Sequence, residues 1–179
     1  MLNYADRLPL EWAPGATPEV DEKQRITTNL YVLEAVSAIE EHSLDRISEE
    51  QPELHQELHR LDAKLHLLLD MVARLLRSHD RLPRSRAVRV AVELIEIEAG
   101  GADMVVATEG VLHLHLHPAI PAALLLPGRI TGTARDEDGE WLQFQPGNLS
   151  DSELEALSRH VFRHHRRSIA AARQGATPS

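Results

Sequence analysis

Between residues 54 and 75, an apolar residue recurs at gaps that alternate between four and three. The pattern continues for three heptads, which is typical of the buried seam of a coiled coil or helical bundle. At 1.5 Å per residue, a helix over residues 54–77 would be about 36 Å long, which is longer than a small core needs. The seam consists of Leu54, Leu58, Leu61, Leu65, Leu68, Val72 and Leu75.

This seam predicts that the chain self-associates through the long helix. Leucine dominates both seam positions, which does not single out a dimer, and Leu69 and Leu76 widen the apolar stripe. An intramolecular hairpin with a helix predicted over residues 17–42 is the alternative, because that helix also carries a broad apolar face. We therefore expect residues 17–80 to form a helical oligomerisation region.

The segments before and after this region follow different patterns. Residues 1–16 contain Pro9, Pro14 and Gly15 without periodicity, which favours a loosely ordered arm. Past Pro83 the apolar period changes to two, and the pair Leu94–Ile95 indicates a bulge within the first strand. Further strands are predicted over residues 104–108, 111–116, 129–134 and 140–145, the last two joined by a loop that carries Asp138–Gly139.

The C-terminal segment predicts a helix with a well-defined start. Ser150 and Glu153 have the spacing of a capping box, and Gly175 is placed to end the helix. Several short strands without intervening helices indicate a small antiparallel barrel. The predicted fold is α+β: two long helices, then a barrel with its C-terminal helix over residues 81–170, and a tail over residues 171–179.

The composition excludes several classes of function. The chain has 179 residues, a net charge of −9 and no cysteine, so thiolate metal sites and cysteine nucleophiles are excluded. No apolar run is long enough to span a bilayer, and we expect a cytoplasmic protein. The acidic balance disfavours general nucleic-acid binding, although residues 61–90 carry seven basic side chains and residues 156–179 carry five arginines and no acidic residue.

No catalytic constellation emerges from the sequence. Nucleotide-binding glycine loops are absent, and no carboxylate pair stands out for acid–base chemistry. His113, His115 and His117 alternate along a predicted strand, so they either share a metal ion or face outward while the intervening leucines face the core. His160 and His164, one turn apart on the predicted C-terminal helix, are a weaker candidate pair of metal ligands. We expect no enzyme activity, no bound metal and no cofactor.

The order of elements resembles a PilZ domain over residues 83–167. The resemblance rests on the basic segment, Gly110-Val-Leu-His-Leu-His-Leu, Leu126-Pro-Gly-Arg-Ile-Thr-Gly, Glu140-Trp-Leu-Gln-Phe-Gln and the closing helix. It implies a receptor or adaptor in bacterial cyclic di-GMP signalling. Together with the preceding heptad helix, it is similar to the atypical, tetramer-forming PilZ proteins, which implies a homotetramer built from the long helices.

The resemblance also implies where a dinucleotide would bind. Typical members use an Arg-x-x-x-Arg motif, whose spacing Arg77 and Arg81 match, and an Asp/Asn-x-Ser-x-x-Gly motif. If Gly110 is the motif glycine, the polar positions are occupied by Val105 and Ala107, which offer no side-chain hydrogen bond. The degenerate ligand site then comprises Arg77, Arg81, Arg84, Arg86 and Gly110.

Three functions are consistent with these observations. The first is a non-enzymatic adaptor that acts on signalling or pilus-related proteins in type IV pilus, motility or virulence control, with cyclic di-GMP binding weak or absent. The second is a cyclic di-GMP receptor that uses the basic segment from Arg77 to Arg89 in a rewritten site. The third is a metal-binding barrel that uses His113, His115 and His117.

Overall fold

The computed structural model describes residues 2–15, 21–42, 64, 83–100 and 104–175. Except for Lys64, the predicted heptad helix and its seam lie outside these residues, so that helix and its self-association stay predictions. The described strands are β1 (Tyr4–Pro14), β2 (Ser85–Val90), β3 (Ile95–Glu98), β4 (Glu109–Leu114), β5 (Leu124–Asp136) and β6 (Gly139–Pro146), and the described helices are α1 (Glu22–His42) and α2 (Asp151–Gly175).

The six strands form a closed barrel in the order β1-β2-β3-β6-β5-β4, with every neighbouring pair antiparallel. This confirms the predicted small antiparallel barrel with a C-terminal helix. Alternate side chains fill the interior, as the period-two pattern requires. Trp12 and Phe144 meet edge to face inside it, with ring centroids 5.7 Å apart.

The interpretation of residues 1–16 as a loosely ordered arm is wrong for Tyr4–Pro14, which form β1. This strand pairs with β2 through its first half and with β4 through its second half, so it closes the barrel. Leu8, Leu10 and Trp12 alternate into the core. The prolines are tolerated because the strand changes partner near Pro9, and Pro14 stands at the end of the strand.

Two strand predictions around β2 and β4 are corrected. The expected bulge at Leu94–Ile95 is a hairpin turn, in which the Ala91 amide donates to the Leu94 carbonyl at 3.0 Å and Val90 pairs with Ile95. The turn lets both β2 and β3 direct their branched side chains into the core. Residues 104–108 are not a strand: the chain turns at Ala107, whose φ is 69°.

The hairpin between β5 and β6 forms where Asp138–Gly139 predicted it, with Gly139 at a φ of 138°. Its acidic tip is tied to β2, which lies on the far side of β3 in the barrel, rather than being only a solvated turn. Arg89 on β2 binds Asp136 at 2.5 Å and Asp138 at 2.6 Å, and its guanidinium lies 4.1 Å from the centroid of the Trp141 ring.

The predicted capping box begins α2. The Ser150 amide and hydroxyl each donate to Glu153 Oε2 at 2.8 Å, and the Glu153 amide donates back to Ser150 Oγ at 3.3 Å. The helix continues to Gly175, so it extends past the expected tail boundary at residue 171. Its inner face carries Ala156, Leu157 and Val161 in the core.

Helix α1 packs against α2 and the barrel. Val32, Leu33 and Val36 are buried, as its apolar face predicted, and they join the same core cluster as the barrel side chains. The expected domain boundary near residue 81 therefore does not separate α1 from the barrel. Packing on one continuous core makes α1 part of the structural unit that presents the candidate site.

Candidate functional site

The degenerate ligand motif lies between β2 and the turn that precedes β4. Arg86 is only 9% exposed, and its Nη1 donates to Met104 Sδ at 3.3 Å. At least one guanidinium nitrogen of Arg86 is therefore engaged inside the protein. Arg84 is exposed, whereas Arg77 and Arg81 lie outside the described residues. Of the predicted arginines the described residues include Arg84 and Arg86, and a shared site with Arg77 and Arg81 stays a prediction.

The turn that carries the polar motif positions is exposed and apolar. Val105 is 58% exposed and Val106 is 42% exposed, and Ala107 is also exposed. The hydroxyl of Thr108 donates to the Val105 carbonyl at 2.5 Å, and the Ala107 amide donates to Ile130 O at 2.8 Å. These internal hydrogen bonds hold the turn against β5. The side chains at positions 105 and 107 offer no donor or acceptor to a dinucleotide.

Gly110 has a packing reason to be glycine. A Cβ atom at this position would lie 2.3 Å from the Ala13 carbonyl oxygen and 2.9 Å from the Trp12 ring. Gly110 therefore lets β1 and Trp12 approach β4 closely. Close packing in the barrel core therefore explains why the residue at this motif position is glycine, without a bound ligand.

An open depression borders the turn. Its lining includes Ala107 and Thr108, and its charged side chains are those of Glu109 and Arg129, both exposed. Glu109 and Arg129 occupy paired positions on β4 and β5. The carboxylate of Glu109 repels a phosphate as strongly as Arg129 attracts it at an equal distance, so the depression is not a basic phosphate cradle.

The three histidines of the β4 region do not assemble a metal site. The intervening Leu114 and Leu116 are buried, as is Leu112 before His113, which matches the outward-histidine alternative. His117 Nδ1 accepts a hydrogen bond from the Ala119 amide at 3.1 Å. In the part of the chain that the structure describes, no group of three or more His, Cys, Asp or Glu side chains is placed to hold an ion.

Two of these histidines are nonetheless perturbed. Burial, followed by the charge of His113, lowers the pKa of His115 below its usual value. Burial also lowers the pKa of His117, although Glu40 opposes that shift. Both effects favour the neutral imidazole.

A partly buried polar cluster joins β1, α1 and α2, and the sequence did not predict it. The hydroxyl of Tyr4 lies 2.9 Å from His160 Nε2, and the Tyr4 ring stacks on His164 at 4.5 Å. His164 Nε2 is 2.8 Å from Glu40 Oε1, and Arg167 reaches the same carboxylate at 3.0 Å. We call these five residues the tyrosine–histidine cluster. The sequence feature that could have indicated this cluster is the helical spacing of His160 with Leu157 and Val161.

Electrostatics in this cluster favour a neutral His160 and a charged Glu40. Burial, followed by the charge of His164, lowers the pKa of His160 to about 3. Burial raises the pKa of Glu40, but the hydrogen bond and charge of His164 and the charge of Arg167 together lower it below its usual value. His160 and His164, the weaker candidate pair of metal ligands, thus form part of the contact between α1, α2 and β1.

A second buried cluster fixes α1 to the start of α2. Arg25 Nη1 donates to Glu153 Oε1 at 2.6 Å, and Asn29 Nδ2 donates to the same oxygen at 2.7 Å. Asn29 also exchanges two hydrogen bonds of 2.8 Å with the backbone of Leu125 on β5. Glu153 therefore caps α2 and anchors α1 at once. These contacts set the position of α1 on the barrel.

A closed six-stranded barrel with a packed C-terminal helix is the architecture of the PilZ class of signalling domains. The family model described as atypical PilZ domain, cyclic di-GMP receptor, matches residues 33–174. Because that match spans most of the 179 residues, the chain belongs to the atypical PilZ family.

One similar solved structure carries further information. It is a pathogenic protein from Xanthomonas campestris, a tetrameric PilZ domain that self-assembles through an unusual helical bundle. Its sequence is 31% identical, the match covers 94% of this chain and 91% of that chain, and the TM-score is 0.74. No curated protein matches this chain. Among the described helices, none is both long and apolar enough to cross a membrane.

Proposed function

We propose that this chain is a non-enzymatic adaptor of the cyclic di-GMP network that binds the dinucleotide weakly or not at all. The observation that carries the proposal is the turn before β4, where Val105 and Ala107 occupy the polar motif positions while Arg86 is buried against Met104. Each missing hydrogen bond to a ligand costs about 1 to 3 kcal/mol. Two such losses weaken binding by about thirty-fold or more.

The adaptor acts in the cytoplasm, in type IV pilus, motility or virulence control. The cysteine-free composition is consistent with a reducing compartment. The chain works as a homotetramer, a proposal that rests on the predicted heptad seam and on the tetrameric Xanthomonas relative. Four copies convert weak single-domain contacts with a partner protein into avidity.

A cyclic di-GMP receptor with a rewritten site is the second candidate. The family description, which names a cyclic di-GMP receptor, favours it. Exposed Arg84 supplies a cation beside the motif, and Arg77 and Arg81 precede it in the sequence. Arginines hold phosphates and stack on bases, so such a site does not require the lost carboxylate and hydroxyl.

Calorimetric titration with cyclic di-GMP at low salt separates the two candidates. For the adaptor we expect no saturable heat up to high micromolar ligand. A Val105→Asp, Ala107→Ser double variant restores the motif side chains and is titrated beside the wild-type chain. Binding gained only by this variant supports the view that the two apolar residues abolish affinity.

Saturable wild-type binding at micromolar or tighter affinity overturns the adaptor proposal. The receptor candidate then expects that Arg84→Ala removes this binding. Arg135→Ala is the matched control, because Arg135 is an exposed arginine on β5 outside the motif. Binding that both variants lose equally contradicts a site at Arg84.

A further inference from the structure

The outward face of α2 combines exposed apolar and basic side chains. Phe162 is 51% exposed and Ile169 is 41% exposed, and Arg159 and Arg166 share their face at helical spacing. The sequence contains two phenylalanines, and the other one, Phe144, is fully buried in the barrel. We call Arg159, Phe162, Arg166 and Ile169 the α2 face. Phe162 and Ile169 lie on one helical face with two arginines, so their exposure is a combined apolar and basic patch rather than a single exposed ring.

The α2 face is positively charged on an acidic protein. Residues 156–179 contain five arginines and no acidic residue, whereas the whole chain carries −9. The Arg166 guanidinium lies 5.8 Å from the centroid of the Phe162 ring, and Arg159 is paired with exposed Glu155 at 3.2 Å. Beside them, Arg167 is held by Glu40, so that edge of the face has a defined geometry. This charge complements an acidic partner.

The side-chain chemistry favours a protein segment over a membrane. Every basic residue of the face is arginine, which binds carboxylates in bidentate fashion, and exposed Phe and Arg are enriched at protein interfaces. An anionic bilayer would attract these arginines but repel the rest of a chain with a net charge of −9. From Arg159 to Ile169 the face is about 15 Å long, the length of about three helical turns.

We propose that the α2 face docks an acidic amphipathic helix of a partner protein. The aliphatic side chains of that helix cover Phe162 and Ile169, and its carboxylates pair with Arg159 and Arg166. The inference rests on the adaptor proposal, because it names the chemistry of the adaptor's partner. The two fail separately: cyclic di-GMP binding near Arg84 overturns the adaptor, whereas the test below reports only on α2.

The test is selection of peptides from a phage-displayed library of random 16-residue sequences against the full-length chain. We expect enriched peptides that carry Asp or Glu around aliphatic residues at helical spacing. Their affinity, measured by fluorescence anisotropy, falls at least ten-fold in Phe162→Ala and in Arg166→Glu. Both residues are exposed, so circular dichroism and the melting temperature stay unchanged.

Matched controls distinguish binding at the α2 face from nonspecific electrostatic or hydrophobic binding elsewhere on the chain. Arg135→Glu makes the same charge change at an exposed position on β5, and Tyr31→Ala removes an aromatic ring that is 61% exposed on α1. Both controls retain peptide binding if the inference is correct.

Four outcomes of the peptide experiments overturn the inference. They are a selection without enrichment, enriched peptides that are neutral or basic, equal binding to the α2 variants, and a binding loss shared by the controls. Sedimentation with phosphatidylglycerol vesicles tests the bilayer: vesicle binding lost with Phe162→Ala assigns the face to a membrane. A changed mass of either α2 variant in light scattering assigns it to a second copy of this chain. Either result also overturns the inference.

Discussion

Ala107 holds a backbone conformation that alanine rarely adopts. Its φ of 69° lies in the left-handed region, where the Cβ atom of an L-residue crowds the backbone. The hydrogen bonds of Ala107 and Thr108 to Ile130 impose this conformation by pulling the turn onto β5. The barrel thus maintains backbone strain at the turn before β4, and a residue without a Cβ atom would relieve it.

We predict that Ala107→Gly increases the free energy of unfolding by about 0.5 to 1 kcal/mol. Relief of the left-handed strain exceeds the additional chain entropy that glycine gives the unfolded state. Urea unfolding at fixed protein concentration measures the change. Ala38→Gly, in exposed helical sequence of α1, should instead destabilise the chain by about 1 kcal/mol. Destabilisation by both substitutions would contradict the strain argument.

At the scale of elements, α2 is held to α1 and β1 by the tyrosine–histidine cluster. His160 is 2% exposed, and its Nδ1 has no hydrogen-bond partner among the described residues. The groups around it are Tyr4 from β1, Glu40 from α1, and His164, Arg163 and Arg167 of α2. Burial, followed by the charges of His164 and the two arginines, outweighs the attraction of Glu40, so the docked helix favours neutral His160.

This docking predicts that stability falls in mild acid. The pKa of His160 is about 3 in the folded chain and about 6.5 when unfolded, so below about pH 6.5 the unfolded state binds a proton that the folded state does not. His160 thus contributes stability that is complete above pH 6.5 and is lost as the pH falls toward 3. Between pH 7.5 and 5.5 we expect a loss of about 1 kcal/mol from this residue.

His160→Gln tests the assignment, because glutamine retains a polar partner for the Tyr4 hydroxyl but does not titrate. Urea unfolding from pH 7.5 to 5.5 should show a shallower pH dependence in this variant than in the wild-type chain. A residual slope of the same sign is expected, since the pKa values of His115 and His117 are also lowered. An unchanged slope would show that His160 does not cause the acid sensitivity.

For the whole molecule, assembly is the property with the largest consequence. The described barrel buries its core within one chain, so assembly through the predicted heptad seam would not need the barrel to unfold. The structural relative from Xanthomonas campestris assembles as a tetramer through a helical bundle. Four barrels on one bundle would also present four copies of the α2 face.

We predict that Leu61→Asp, Leu68→Asp dissociates the assembly, because two carboxylates in an apolar seam lack partners. Light scattering should give about four chain masses for the wild-type protein and about one for the variant. Lys64→Asp is the control: it also changes the net charge by −2, but Lys64 is exposed and lies off the seam. A double variant that stays fully assembled would contradict the tetramer proposal.

Much of the barrel was predictable because its signals are local. The Ser150–Glu153 capping box and the Asp138–Gly139 loop depend on neighbouring residues, and both formed where they were expected. β1 was missed because its prolines suggested irregular structure, although Leu8, Leu10 and Trp12 alternate. For the candidate site, the sequence already showed that positions 105 and 107 carry no polar side chain. It did not show that Arg86 is buried against Met104.

The sequence by itself determined the aliphatic barrel strands, the capped C-terminal helix and the apolar ligand-motif positions, because periodicity and residue type act over a few neighbours. Only the tertiary structure decided that residues 4–14 close the barrel, and that Glu153 binds both Arg25 and Asn29 across more than 120 positions. It likewise buried His160 beside Tyr4, 156 positions away. Such contacts depend on how separate elements pack, and no local pattern specifies the partner of a buried polar group.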